Sequence, residues 1–161
     1  MRYTPSHIDR LFCRADKLRE ADRLRPALRL FRAAAKAGDF GCQVNLGNCY
    51  CDGMGVTRNL RLALLWYRRA YRQGNSAAAN NIAIVMRDEK KLYPAVAWFA
   101  RAIKRKDADA NLHIAEIYLQ LGDQAKALRY LKQVCRARPG FVTQYSLEQP
   151  RILLASLGAL T

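Results

Sequence analysis

Four stretches of this chain superimpose on one another without a gap. They are LRLFRAAAKAGD ending at Asp39, LLWYRRAYRQGN ending at Asn75, VAWFARAIKRKD ending at Asp107 and LRYLKQVCRARP ending at Pro139. A column of large residues runs Phe31, Tyr67, Phe99 and Leu131. A column of small ones runs Ala27, Ala63, Ala95 and Ala127, at intervals of 36, 32 and 32 residues. An internal period of this length constrains the fold more than any other feature. Each unit is too short to bury an apolar face by itself, so neighbouring units must stack on one another.

The segment ahead of each stretch repeats as well. A second small column runs Ala15, Gly47, Ala83 and Ala115. Three residues after each stands an apolar Leu18, Tyr50, Met86 or Tyr118. Four residues before stands Leu11, Gln43, Ala79 or Asn111, a column that is not uniformly apolar. The period is helical. Each unit therefore reads as a helix A, a turn and a helix B, with small residues where two helices must approach and large ones beside them. Punctuation agrees: Gly38-Asp39 and Gly74-Asn75 read as a helix stop followed by an N-cap, and Asp123 after Gly122 as the N-cap of the last helix B. Pro26 and Pro94 fall in the first turn of a helix B, where a missing N–H costs little. The units are expected at 7–38, 39–74, 75–106 and 107–139. QYSLEQPRILLASLGAL predicts a capping helix over 144–160 that covers the last apolar face. Ile152, Leu153, Leu154, Leu157 and Leu160 cover more than one stripe of it, which leaves a dimer contact as the alternative. A monomer or weak homodimer is expected.

Charge and cysteines bound the function. Lys and Arg number 28 against 13 Asp and Glu, a formal net charge of +15. Such an excess suits an acidic protein, a polyanion or an anionic membrane as partner and says nothing about fold. The first thirty residues lack the apolar stretch of a signal peptide. No run approaches the roughly 20 apolar residues of a membrane span. A cytoplasmic location is expected. The five cysteines are odd in number and irregular in spacing, which fits reduced thiols. Cys42 aligns with Ala78 and Ala110, Cys49 with Val85 and Ile117, and Cys135 with Ala35 and Ile103. These are packing positions, where cysteine acts as a small apolar residue rather than a zinc ligand. Cys13 and Cys51 fall in more variable columns. Two histidines, His7 and His113, stand in no catalytic arrangement, and no metalloprotease helix, phosphate loop or nucleophile elbow is present. No enzyme activity, metal or cofactor is expected.

The repeated residues resemble the tetratricopeptide repeat, and the second unit is similar to a close relative, the Sel-one-like repeat. Its stretch YCDGMGVTRNLRLALLWYRRAYRQGN carries Tyr50, Gly53, Gly55, Val56, Ala63, Trp66, Tyr67, Ala70 and Gly74 at that family's spacing. The G-x-G-V turn adds four residues between the helices and accounts for the interval of 36. Asn59 and Tyr71 depart from the family's usual Asp and Ala. The resemblance covers about residues 7 to 139. It implies an all-α fold, a right-handed α-solenoid (superhelix) of four helical hairpins plus the C-terminal capping helix, in a family that mostly supplies scaffolds and adaptors.

It also implies where a partner lies. In tetratricopeptide proteins the positions two before and one after the small residue of helix A look into a concave groove. Here they are Cys13, Asn45, Asn81 and His113, and Asp16, Asn48, Ile84 and Glu116, with Arg87 as the one nearby cation of the middle repeats. The candidate partner site is therefore Asn45, Asn48, Asn81, Ile84, Arg87, His113 and Glu116. Asparagine donates and accepts, so it can hold a peptide backbone without demanding one side chain. Helix B carries the positive charge: Lys36, Arg72, Lys104 and Arg136 form one column, and Arg32, Arg68 and Lys132 another. Cations at a helix C-terminus also interact favourably with its dipole. Phe31, Trp66, Tyr67, Trp98 and Phe99 sit in packing columns, so no stacking platform for single-stranded RNA is evident. The expected function is that of an adaptor holding a partner peptide or protein in the groove. One alternative is a neutraliser (immunity protein) or chaperone of one cognate bacterial toxin or effector. The second is nucleic-acid binding through the basic helix B face.

Overall fold

A computed structural model of the protein describes residues 5–107, 109–136, 152, 153 and 155. Among these the secondary structure is entirely helical, in the order α1 (Pro5–Glu20), α2 (Leu24–Lys36), α3 (Phe40–Asp52), α4 (Leu60–Arg72), α5 (Ser76–Asp88), α6 (Leu92–Lys104), α7 (Ala110–Gln120) and α8 (Gln124–Arg136). The odd-numbered helices are the expected helices A and the even-numbered ones the helices B. The first helix begins slightly ahead of the expected position 7. The chain divides into two compact units, Met1–Val85 and Met86–Thr161, with the division inside α5.

Helix ends follow from local chemistry. The Asp39 carboxylate accepts from the Cys42 N–H, and Asn75 Oδ1 from the Ala78 N–H at 2.9 Å. Asp123 Oδ1 accepts from the Lys126 N–H at 3.0 Å. Each satisfies one of the orphan donors of a helix N-terminus. The C-termini close with the N–H of the second residue past the cap bonding five residues back: Arg23 to Leu18, Asp39 to Ala34, Asn75 to Ala70, Lys91 to Met86, Asp107 to Ala102 and Asp123 to Tyr118. This closure needs a left-handed residue just before. Gly38, Gly74 and Gly122 fill it at three turns, as expected, but Asp22 (φ 55°), Lys90 (φ 62°) and Lys106 (φ 69°) fill it at the other three. The glycine signal therefore marked half of these turns. At the rest, the hydrogen-bonded closure holds a side-chain-bearing residue in a conformation it seldom adopts.

In the first unit α1 packs on α2, α2 on α3 and α3 on α4. Both small columns are buried: Ala15, Ala27 and Ala63 are 0–2% exposed, as are Phe31 and Tyr67 of the large column. Gly47 shows why this column stays small. A Cβ there would lie 2.6 Å from Tyr67 Cδ1 and closer still to Cε1. The edge of Phe12 meets Phe31, with ring centroids 6.4 Å apart. Gln43, the polar member of its column, is buried; its amide donates to the Ala35 carbonyl at 3.2 Å and accepts from Gln73 at 2.9 Å. The longer turn of the second repeat is held by the Asn59 N–H to the Tyr50 carbonyl at 2.7 Å and Arg58 Nε to the Cys51 carbonyl at 2.9 Å.

In the second unit α6 packs on α7 and α7 on α8. Leu112, Ala115, Leu131 and Val134 form a buried cluster, with Leu128, Tyr130 and Leu153 packed against it. Leu153 belongs to the expected capping helix. Residues 152, 153 and 155 are helical, and Ile152 is 60% exposed. The rest of that helix, including Pro150, Leu154, Leu157 and Leu160, lies outside the described residues.

One expected packing position is corrected. Cys42 and Cys49 are buried, but Cys135 is exposed. Its column mate Ala35 is covered because α3 of the following repeat packs on α2. Past α8, Leu153 packs on the cluster of Leu112 and Leu131, and Cys135 stays exposed.

Candidate functional site

In the first unit the helix A positions come from α3 and from the part of α5 up to Val85. Asn45, Asn48, Asn81 and Ile84 are all half-buried. Asn48 is the hub: its Oδ1 accepts from the Tyr67 hydroxyl at 2.8 Å and from Asn81 Nδ2 at 3.2 Å. The Tyr67 hydroxyl is pushed up well above the ordinary phenol range, first by burial and then by Cys51 and Asp52, so it remains a donor. The Asn45 amide has no hydrogen-bond partner among the described residues. Asn48 and Asn81 thereby tie adjacent repeats together through a buried tyrosine. Cys13 is exposed, and Asp16 holds Arg19 through contacts of 2.6 and 3.0 Å.

In the second unit His113 Nδ1 lies 3.2 Å from Glu116 Oε2, and an Arg87 guanidinium nitrogen lies 3.9 Å from the same oxygen. Arg87 Nε is also 3.3 Å from Asp88. The imidazole packs on Phe99, with ring centroids 5.0 Å apart. Arg87, His113 and Glu116 thus form one cluster, with the carboxylate between two nitrogen-bearing side chains. Like Asn48, His113 has a packing role in addition to any recognition role.

The helices B are uniformly cationic. None of α2, α4, α6 and α8 contains an Asp or Glu. Lys36, Arg68, Arg72, Lys104, Lys132 and Arg136 are exposed. Arg32 is an exception to the expected basic face: it is half-buried and donates to the Tyr50 hydroxyl at 3.0 Å. Two features were missed from sequence. The Arg69 guanidinium lies 4.7 Å over the Trp66 ring and that of Arg101 4.4 Å over Trp98. Their signal was a Trp-x-x-Arg spacing recurring one repeat apart, which places both side chains on one helix face. Among the described residues no group of three His, Cys, Asp or Glu is placed to hold a metal, and no helix is long and apolar enough to cross a membrane.

The Sel1 repeat family model matches residues 19–39, 41–75, 82–107 and 108–137. This chain belongs to the Sel1 repeat family. The match over 41–75 spans a whole hairpin, α3 and α4, the unit that carried the full signature. The sel1-like repeat-containing protein L21 of Acanthamoeba polyphaga mimivirus is 28% identical over 92 residues, which is 57% of this chain and 17% of that protein. Among solved structures, a Sel1 repeat protein from Oxalobacter formigenes shares 23% identity with a TM-score of 0.66, over 81% of this chain and 57% of its own. MamA shares 18% identity with a TM-score of 0.67, over 94% of this chain and 83% of its own. The chain therefore spans less than a fifth of the viral relative and just over half of the Oxalobacter protein. The likeness establishes an all-α repeat superhelix as the fold class. Sel1 repeats generally mediate protein–protein interaction and are typically non-enzymatic scaffolds.

Proposed function

We propose that this protein is a non-enzymatic adaptor that holds a segment of a partner protein against the helix A face. Asn45, Asn48, Asn81 and Ile84 would form the contact in the first unit, and Arg87, His113 and Glu116 that in the second. The observation that carries the reading is the Asn81–Asn48–Tyr67 chain of hydrogen bonds. It fixes two amides of adjacent repeats in place beside the open amide of Asn45. Polar groups locked by their neighbours lose little entropy when a ligand binds, which is the requirement for a preorganised recognition surface. Arg87, paired with Glu116 and Asp88, would present an exchangeable charge rather than a fixed carboxylate clamp. The reading includes a reducing, cytoplasmic setting, supported by five unpaired cysteines.

The test is affinity capture from the native organism with mass spectrometry, comparing the unmodified protein with Asn45→Ala, Asn81→Ala and His113→Ala, singly and together. Asn45→Ala should weaken capture about tenfold with no change in stability, as expected for removal of one interfacial hydrogen-bonding group. Asn81→Ala and His113→Ala should also lower stability modestly, because each has an internal partner. Undiminished capture by a folded triple variant refutes the groove.

A further inference from the structure

The outward face of α4 has an arrangement that the helix itself does not call for. Arg61, Leu65, Arg68, Arg69 and Arg72 fall at helical spacing on the side opposite the buried Ala63, Trp66, Tyr67 and Ala70, and all five are exposed. Leu65 is 42% exposed at the centre of this set. Arg69 and Arg72 lie in the last turn, where the helix dipole favours them. Arg61 lies in the first turn, where the dipole opposes it. Arg68 and Arg72, four apart, repel each other along the helix. The ion pairs of the described residues form elsewhere, at Arg19, Arg87, Lys91, His113 and Lys126, and α4 has no acid of its own. Helix stability therefore does not account for the face.

We propose that this face of α4 is a second docking surface, for an acidic amphipathic segment of another protein that sets an apolar side chain on Leu65 and carboxylates on Arg61, Arg68 and Arg72. Two observations favour a protein over a nucleic acid. An apolar centre with a charged rim is the anatomy of a protein interface, whereas a phosphate backbone offers nothing to a leucine. The set contains no aromatic ring, and Trp66, which Arg69 covers, is only 8% exposed, so neither offers a stacking platform for bases. A lone leucine is also too little apolar surface to anchor the face in a lipid interface. The surface is distinct from the helix A residues proposed to hold a partner, and does not depend on them.

The test uses the full chain and four defined probes, read by fluorescence anisotropy at physiological salt. They are a synthetic Glu-rich helical peptide with a leucine stripe, its Leu→Ser counterpart of equal charge, a single-stranded oligothymidine, and phosphatidylserine vesicles. The leucine peptide should bind about tenfold more tightly than the serine peptide, the gap expected of one apolar anchor. Leu65→Ser should remove that gap. Arg61→Gln with Arg68→Gln and Arg72→Gln should weaken the leucine peptide further and flatten its salt dependence, with unchanged helicity by circular dichroism. Lys104→Gln with Arg136→Gln, and Asn45→Ala, should leave it unaffected. Tighter binding of oligothymidine or vesicles than of the leucine peptide, equal binding of the two peptides, equal loss in the Lys104 and Arg136 variant, or no peptide binding at all would each overturn the proposal.

Discussion

Gly47→Ala is a sharp test of how the repeats pack, because two effects of similar size oppose each other there. Gly47 lies inside α3, and replacing a helical glycine by alanine gains about 0.8–1 kcal/mol of intrinsic propensity. The new Cβ would lie 2.6 Å from Tyr67 Cδ1. Relief requires the ring to move, but Tyr67 is 2% exposed and its hydroxyl is bonded to Asn48 at 2.8 Å. Overpacking of this kind costs about 1–3 kcal/mol, and losing the hydroxyl bond costs about 1 kcal/mol more. The net expectation is destabilisation by about 1–3 kcal/mol, a drop of several degrees in Tm for a chain of this length. Urea unfolding followed by far-UV circular dichroism measures it. The control is the same substitution in a Tyr67→Leu background, leucine being the residue of the last repeat in that column (Leu131). Without the ring, the propensity gain should dominate and Gly47→Ala should stabilise. A neutral or stabilising effect with Tyr67 present, or an equal penalty in both backgrounds, would refute the reasoning.

Thiol chemistry checks burial independently. Cys13 and Cys135 should react rapidly with an aromatic disulfide reagent in the native protein, whereas Cys42 and Cys49, buried with thiols pushed up by desolvation, should react only on unfolding; comparable native rates would contradict the packing. Two carboxylates should shift stability with pH in opposite senses. Burial, then the charge of Asp109, raises Asp107, so its ionised form costs stability above the raised folded pKa and the cost vanishes below the unfolded value near 3.9. Asp107→Asn should therefore raise Tm at pH 7 and not at pH 3. Asp123 is held low by hydrogen bonds from the Lys126 side chain and then its backbone N–H. Its contribution is present above about 3.9 and lost as pH falls through the lower folded value, so Asp123→Ala should lower Tm at pH 7 and not in strong acid. Thermal melts at both pH values decide each sign.

The sequence by itself determined the helices, their pairing into hairpins and the residues of the core. A helical period and a small residue at each close approach are local properties that recur in every unit, and a capping side chain marks the starts of α3, α4, α5 and α8. Ala63 and Phe99 had to be buried wherever the units stood, and Asp39 had to cap α3 whatever lay beyond it. The roles of the polar residues were decided by tertiary structure, because their partners lie far away along the chain. Arg32 looked like one of a basic column until Tyr50, eighteen residues on, took its guanidinium out of that column. Asn48 looked like an open groove amide until Tyr67 and Asn81 converged on its one oxygen. The same separation explains Cys135, exposed although its column mate Ala35 is buried where α3 packs on α2. It explains Asp22, Lys90 and Lys106 too, held left-handed by hydrogen bonds that close each turn rather than by their own preference. A repeating pattern fixes what every unit shares, while the groups that distinguish one unit from the next take their roles from neighbours that only folding brings together.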